Sequence, residues 1–401
     1  MKNHTGMTMH DSIQDFLAHC KSRITETIME AFSAFEQQSN DSLNAVSKLA
    51  GERLKNFMKG GKMIRGALVR LGAELFSTHV PDACIDWAGA AMEFFQAGLL
   101  IHDDIMDRDT VRRGSTTIHW QYVQDAMQHT IHENGYPDGE RTGAVTTLIN
   151  SQGAQDYIHY GESAGICLGD FAFFLGNYAL QKSMSAVYEN YTHVANSDDA
   201  PDNPLAFTAL ELCNVGIAQM LDVQYGTAFF ETDPSIDDII TVYRYKTGRY
   251  TFSLPLSVGA RLGGAPGHIC RTLETYGEQL GIVFQLKDDE LGIFAPAEKL
   301  GKVSGADIKE NKKTVHRKIL FEQPDLPDSI KELFGKENIT CDEIDAVREA
   351  MRRYAVDERV RAIMAEYMER ARLIRKIMNF KDSNASRWLL QLENYSLVRE
   401  F

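Results

Sequence analysis

The chain has 401 residues, 44% of them hydrophobic, enough to bury one large core or two ordinary ones. Its 42 basic and 56 acidic residues leave a formal charge of −14, which argues against nucleic acid as a partner. A small anionic ligand stays possible only where a bound cation inverts the local field.

The first twelve residues, MKNHTGMTMHDS, contain no apolar stretch of the kind a signal peptide needs. The longest apolar run, near residues 88 to 101, is interrupted by Glu93 and Gln96 and is short for a bilayer span, so the expectation is a soluble, cytoplasmic protein without a transmembrane segment. Six cysteines, Cys20, Cys84, Cys167, Cys213, Cys270 and Cys341, form no CxxC and read as core thiols in a reducing compartment.

Helical periodicity dominates. After a cap at Asp11 or Ser12, the residues Ile13, Phe16, Leu17, Cys20, Ile24, Ile28, Phe32 and Phe35 recur at three- and four-residue steps. Further helices are expected over 43 to 58, 64 to 76, 83 to 106, 205 to 230, 235 to 262 with a kink at Pro255, 268 to 291, 342 to 378 in one or two pieces, and 385 to 398. The helix over 83 to 106 is apolar or small on nearly every side and reads as central and buried. Residues 128 to 159 carry Gly, Pro, Asn and Asp clusters and read as a loop excursion with one short ordered piece, and 196 to 203 as an interhelical loop. Alternating strand patterns are nearly absent, so the fold class is all-α, with no composition break to mark a second domain.

Chemistry concentrates where the apolar helix near residue 100 runs into Asp103, Asp104 and Asp107. Asp103 and Asp107 are four apart and stack on one helix face. Three carboxylates at a helix C-terminus oppose the macrodipole and call for a counter-cation, and hard oxygen ligands suit Mg²⁺ shared with substrate phosphates. A solvated acidic helix end is the ordinary alternative. Arg112 and Arg113 follow directly, with the planar donor geometry that phosphate oxygens accept. A second acidic cluster, Asp288-Asp289-Glu290, ends another apolar helix pattern, so two helices are expected to present acids to a shared cavity. Lys62 and Arg65, three apart at a helix start, suit one anion. Each basic pair taken singly reads as a surface feature; the set together does not.

The elements GGKMIR (60 to 65), Gln96, DDIMD (103 to 107), RRG (112 to 114), LGD (168 to 170), QMLD (219 to 222), KT and YTF (246 to 252), FQLKDD (284 to 289), GK (301 to 302) and DIKENK (307 to 312) occur in an order that resembles the trans-polyprenyl diphosphate synthases of the isoprenoid synthase family. The resemblance covers roughly residues 40 to 400, and no Walker A, GxGxxG or HExxH supports a rival reading. It implies a single polyprenyl synthase domain over 1 to 401, folded as a bundle of antiparallel helices around a central cavity, with 128 to 159 as a loop insertion. It also implies Mg²⁺-dependent, head-to-tail condensation of isopentenyl diphosphate with an allylic diphosphate, usually by a homodimer, and no nucleic-acid partner. About three Mg²⁺ ions are implied, two at Asp103 and Asp107 and one at Asp288. Arg112, Lys246 and Lys302 would contact the allylic diphosphate, and Lys312 would help close the loop over it. Lys62, Arg65, Arg113 and Gln96 would take isopentenyl diphosphate, and Thr247 and Gln285 would stand near the allylic cation.

Gly292 occupies the place where many members carry the last Asp of the second acidic motif, so the metal is expected to rely on Asp288 with support from Asp289, and activity is expected to persist. For chain length, Leu99 and Gly98 leave room where short-chain members carry bulky aromatics. Phe95, roughly 12 Å below Asp103 along the helix, is then the expected floor, with Phe94, Phe173 or Phe174 as alternatives. A geranylgeranyl product is expected first and geranylfarnesyl next. The competing classes are a class I terpene cyclase and a non-catalytic subunit of a heteromeric synthase. GGKMIR and RRG count against the first and the intact acidic cluster against the second.

Overall fold

The computed structural model describes residues 12–38, 43–76, 79–133, 148–149, 153–185, 203–227, 233–294, 305–336 and 338–398. The protein is all-α. In order come α1 (Ile13–Gln38), α2 (Asn44–Lys59), α3 (Ile64–Glu74), α4 (Asp82–Met106), the hairpin β1 (Val111–Arg112) and β2 (Ser115–Thr116), α5 (Ile118–Glu133), α6 (Ala154–Ser185), α7 (Pro204–Gly226) and α8 (Ile236–Val242). A π-helix (Tyr243–Ser253) follows, then α9 (Leu254–Leu262), α10 (Gly267–Phe294), α11 (Ala306–Lys309), α12 (Val315–Phe321), α13 (Asp328–Lys331), α14 (Cys341–Arg353), α15 (Val356–Met378) and α16 (Asn384–Val398).

The chain divides into two compact units: Thr25–Gly61 with Ala90–Ala179, and Met1–Ile24 with Lys62–Gly89 and Leu180–Phe401. In the first, Phe32, Phe94, Phe95, Ile101, Ile118 and Val123 are sealed from water, with Phe32 and Phe94 meeting edge to face at 5.6 Å. In the second, Leu68, Phe252, Leu256, Tyr276, Leu280 and Leu392 form the core. Each side chain so buried contributes about 1.5–3 kcal/mol. Of the α1 stripe, Ile13, Phe16, Cys20, Ile24, Ile28 and Phe32 are buried, while Leu17 and Phe35 are half-buried. Ser12 opens the helix, its Oγ accepting the Asp15 N–H at 3.1 Å.

Several boundaries differ from the sequence reading. Where a kink at Pro255 was expected, the structure has a π-helix before it, ending where the Leu254 N–H donates to the Arg249 carbonyl five residues back, while Pro255 sits in the first turn of α9, where no helix bond is lost. Backbone packing goes with this: a Cβ at Gly281 of α10 would lie 2.1 Å from the Gly248 Cα of the π-helix, an approach open only to glycine. The excursion over 128 to 159 is helical at both ends, because α5 continues to Glu133 on a buried Val123, Met127 and Ile131 stripe and α6 begins at Ala154. Residues 134–147 and 150–152 of it lie outside the described residues, as does most of the 196 to 203 loop. The 342 to 378 stretch is two helices, parted by Ala355 at φ 50°.

Cys20, Cys84 and Cys270 are core thiols, but Cys167, Cys213 and Cys341 are exposed on the outer faces of their helices, which corrects the reading of all six as buried. The apolar run near residue 100 is also longer as a helix than its uninterrupted hydrophobic letters suggest. Asp82–Met106, Ala154–Ser185 and Pro204–Gly226 are each long and apolar enough to cross a membrane by length and composition, and 78%, 44% and 33% of their most apolar windows are buried within the protein.

Candidate active site

The first acidic cluster is built by the way α4 ends. Arg108 adopts a left-handed φ of 57°, and the Arg108 and Asp109 N–H groups donate to the Ile105 and Asp104 carbonyls at 3.2 and 2.8 Å, a Schellman closure with arginine where glycine is usual. Asp107 caps the helix, its N–H bonded to the Asp103 carbonyl at 2.8 Å, so the two carboxylates expected to stack do share the last turn. The chain then reverses through a two-residue hairpin whose central residues, Arg113 (φ 53°) and Gly114 (φ 74°), both take the positive φ of a type I′ turn. The hairpin brings Arg112 back onto the helix end, its Nε donating to Asp104 Oδ1 at 2.5 Å and Nη2 lying 3.6 Å from Asp103 Oδ2.

The acids in this cluster are not equivalent. Asp103 and Asp107 are half-buried, whereas Asp104 is sealed, and burial pushes its carboxyl up to about 6 against the opposing pull of Arg112. Asp104 Oδ2 has no hydrogen-bond partner among the described residues. Asp104, which lies off the face that Asp103 and Asp107 share, is turned in and holds Arg112. Hard oxygens stacked at the negative end of a helix dipole form a donor set that fits Mg²⁺. Among the described residues no group of three or more His, Cys, Asp or Glu side chains is arranged to hold a metal alone, so such an ion would draw its other ligands from phosphate and water.

The second cluster lies within α10, which continues past it to Phe294 rather than ending there. Asp288 is exposed and Asp289 buried. Asp289 accepts from the Tyr243 hydroxyl and from Gln285 Nε2 at 2.8 Å, and Thr247 Oγ1 donates to Gln285 Oε1 at 2.7 Å. Burial, with the Asp307 charge adding, pushes Asp289 up to about 7, and the same burial raises Tyr243 well above the usual phenol range. This network fixes the Gln285 amide and brings Thr247 and Gln285 together as the sequence implied. It removes Asp289 from any outward ligand set.

Lys246 Nζ donates to Asp222 of α7 at 2.6 Å. Lys62 and Arg65 do not share a helix face as expected, because Met63 at φ 53° separates Lys62 from the start of α3. Lys62 is exposed, while Arg65 donates to Thr251 Oγ1 at 2.6 Å, lies 4.7 Å from the Tyr250 ring centroid and keeps a buried Nε that has no hydrogen-bond partner among the described residues. Lys312 stands 3.0 Å from Glu310 and 4.0 Å from Asp307. Gln96 is half-buried, and the Arg113 side chain passes Gly60. Lys302 lies outside the described residues.

Of the chain-length candidates, Leu99 is half-buried and Phe95 fully buried, its ring 6.4 Å from that of Phe173 and filling the space beside Gly176. A Cβ at Gly98 would meet the Gly169 carbonyl at 2.9 Å and the Phe173 ring at 3.1 Å, so the room Gly98 leaves is taken by α6. The sequence reading counted Asp104 only as one of three carboxylates calling for a counter-cation and assigned no role to Tyr243 or Asp222; DDIMD and QMLD contain two of these residues, whereas nothing local marks Tyr243.

The polyprenyl synthetase family profile matches residues 47–136 and 141–351. A geranylgeranyl diphosphate synthase of Methanosarcina mazei is 27% identical over 85% of this chain and 87% of its own length. A geranylfarnesyl diphosphate synthase of Natronomonas pharaonis is 24% identical over 77% and 76%. Among solved structures, a Corynebacterium glutamicum geranylgeranyl pyrophosphate synthase complexed with isoprenyl diphosphate and magnesium superposes with a TM-score of 0.76 at 26% identity, covering 97% of this chain and 99% of that one. An all-α fold, two acid pairs and a profile match over most of the length lead to one conclusion: the chain belongs to the polyprenyl synthetase family and is a prenyltransferase.

Proposed function

We propose that the chain condenses isopentenyl diphosphate with an allylic diphosphate to give a linear all-trans product, geranylgeranyl diphosphate first and geranylfarnesyl diphosphate next. The observation that carries this reading is Arg112 clamped between Asp103 and Asp104, a phosphate-binding fork fixed beside outward carboxylates. Asp103, Asp107 and Asp288 would hold about three Mg²⁺ ions, which when bound supply positive charge against the departing diphosphate. Arg112, Lys246 and Lys302 add donors to the same diphosphate, with Lys246 exchanging Asp222 for phosphate and Lys312 closing over it. Lys62, Arg65, Arg113 and Gln96 hold isopentenyl diphosphate, and the partnerless Nε of Arg65 supports an anion there. As the allylic C–O bond breaks, Thr247 and Gln285, locked to each other, offer oxygen lone pairs to the carbocation without being alkylated. The new C–C bond then forms, and the proton leaves with pyrophosphate.

A homodimer in the cytoplasm is the assembly and place we propose. Leu210, Ile217 and Met220 support the dimer: they are 67%, 65% and 68% exposed and share one stripe of α7. The test of function is incubation with Mg²⁺, labelled isopentenyl diphosphate and dimethylallyl, geranyl or farnesyl diphosphate in turn, followed by sizing of the products. A linear product of four or five isoprene units is expected; cyclised hydrocarbon would favour a class I cyclase, and no turnover a non-catalytic subunit.

A further inference from the structure

The LGD element (168 to 170) has no part in the proposed chemistry, yet its glycine bears on the first acidic motif. A Cβ built at Gly169 would lie 2.2 Å from Nε2 and 2.4 Å from Cδ2 of His102, so the imidazole that immediately precedes Asp103 rests on bare α6 backbone. There Nε2 donates to the Ile166 carbonyl at 3.1 Å and stands 3.7 Å from Asp170 Oδ1, and the ring centroid lies 5.6 Å from that of Phe173. A carbonyl only accepts, so this ring nitrogen carries a proton. One turn back along α6, a Cβ at Gly165 would lie 2.8 Å from Cδ1 of Ile105. Gly165 and Gly169, four apart on one face of α6, thus seat the two residues that flank Asp103 and Asp104. The Ile105 contact is apolar and non-directional; the His102 hydrogen bond has a required direction.

We propose that His102 is a positioning residue for the first acidic motif: its Nε2–H, seated over Gly169 and bonded to the Ile166 carbonyl, fixes the rotation of the last turn of α4 and with it the direction of the Asp103 and Asp107 carboxylates. The proposal rests on the functional reading above, in which those carboxylates hold the metal. Such a constellation works only when its groups keep within about 0.5 Å and 10–20° of the productive geometry. The last turn of α4 is a hard place to keep it, because the chain leaves the helix at Arg108 (φ 57°) and reverses. Helix α6 supplies the fixed reference. Ile166 lies well inside it, and a carbonyl has a second lone pair beyond the one its own helix uses. Glycine at 169 is what lets the imidazole reach that lone pair.

The test measures Mn²⁺ binding by electron paramagnetic resonance in the presence of inorganic pyrophosphate, on the full chain. His102→Leu fills similar space without a donor and should weaken Mn²⁺ binding by about tenfold or more. His102→Gln, whose amide nitrogen reaches the same carbonyl, should stay within about threefold of the starting protein, well inside that loss. Gly169→Ala acts through the ring it displaces, so it should weaken binding in the starting protein and add nothing in a His102→Ala background. In turnover, His102→Leu should raise the KM for the allylic diphosphate while that for isopentenyl diphosphate stays within about threefold, a split that general loosening of the fold would not produce. Unchanged Mn²⁺ binding in a His102→Leu protein that is folded by circular dichroism, or equal losses in the Leu and Gln variants, overturns the proposal. Asp103→Ala separates the two levels. If it too leaves Mn²⁺ binding untouched, the functional reading fails with the proposal; if it weakens binding while His102→Leu does not, the proposal fails alone.

Discussion

Each acidic motif opens with two adjacent aspartates that look alike in the sequence, and in each the second is buried while the first is more open to water. The burial is answered differently. Asp104 is compensated by a guanidinium that also reaches Asp103, whereas Asp289 is compensated by a neutral hydroxyl and a neutral amide. A buried acid answered by a cation fixes a charge, and one answered by neutral donors fixes a shape. The first motif therefore sets where Arg112 points. The second sets where the Thr247 and Gln285 oxygens point.

The largest effect that could break this comparison is at the outward acids. Asp103→Ala or Asp107→Ala should lower kcat by about 10³-fold at saturating substrate, since charge on the leaving group would go unanswered. Radiolabelled isopentenyl diphosphate incorporation measures this, and near-normal rates would remove these residues from catalysis. The inward acids sharpen the comparison. Asp104→Asn should raise the KM for the allylic substrate about tenfold through a loosened Arg112, with little change for isopentenyl diphosphate. Asp289→Asn should leave both KM values within about threefold, because an amide can still bond Tyr243 and Gln285. Matching profiles for the two variants would show that cationic and neutral compensation are interchangeable here.

Phe95→Ala, at about 3–5 kcal/mol, is expected to cost more stability than any change at an exposed acid. In whatever fraction stays folded and active, chromatography should find longer products. An unchanged distribution would return Phe95 to ordinary packing. A further effect, on acid stability, comes from a buried histidine. Among the described residues neither ring nitrogen of His316 has a hydrogen-bond partner, and burial lowers its pKa from 6.5 to about 4. Between those values the unfolded chain binds the extra proton, so stability present above pH 6.5 is lost as pH falls towards 4. The histidine should cost about 2 kcal/mol at pH 5 relative to pH 8. His316→Leu should flatten that part of the Tm profile, and an unaltered acid slope would assign it to other groups.

Helix existence was legible because it rests on local periodicity: the α1 stripe, the breaks near residues 60 and 263, and the entry into DDIMD all follow from side-chain spacing. The DDIMD turn and the RRG hairpin were legible as chemistry but not as geometry, since an arginine at positive φ carries no sequence signal. What could not be read depends on partners distant in the chain. Asp289 is inward because Tyr243, 46 residues earlier, reaches it. Gly292 reads as a missing acid until Asp307, 15 residues later, is found against it. The helix over 128 to 133 was missed because its polar letters leave only Ile131 to continue the buried stripe begun at Val123 and Met127.

The π-helix has a consequence for heredity. Eleven residues wound with bonds to the fifth neighbour have a length that cannot change freely. Losing one residue between Thr247 and Pro255 would let ordinary α-helical bonds form, yet it would turn everything before the deletion by about 100° relative to α9. Lys246 and Thr247 would then leave Asp222 and Gln285. A drifting gene can exchange letters in this segment far more easily than it can gain or drop a codon, so an alignment of relatives should place its gaps elsewhere.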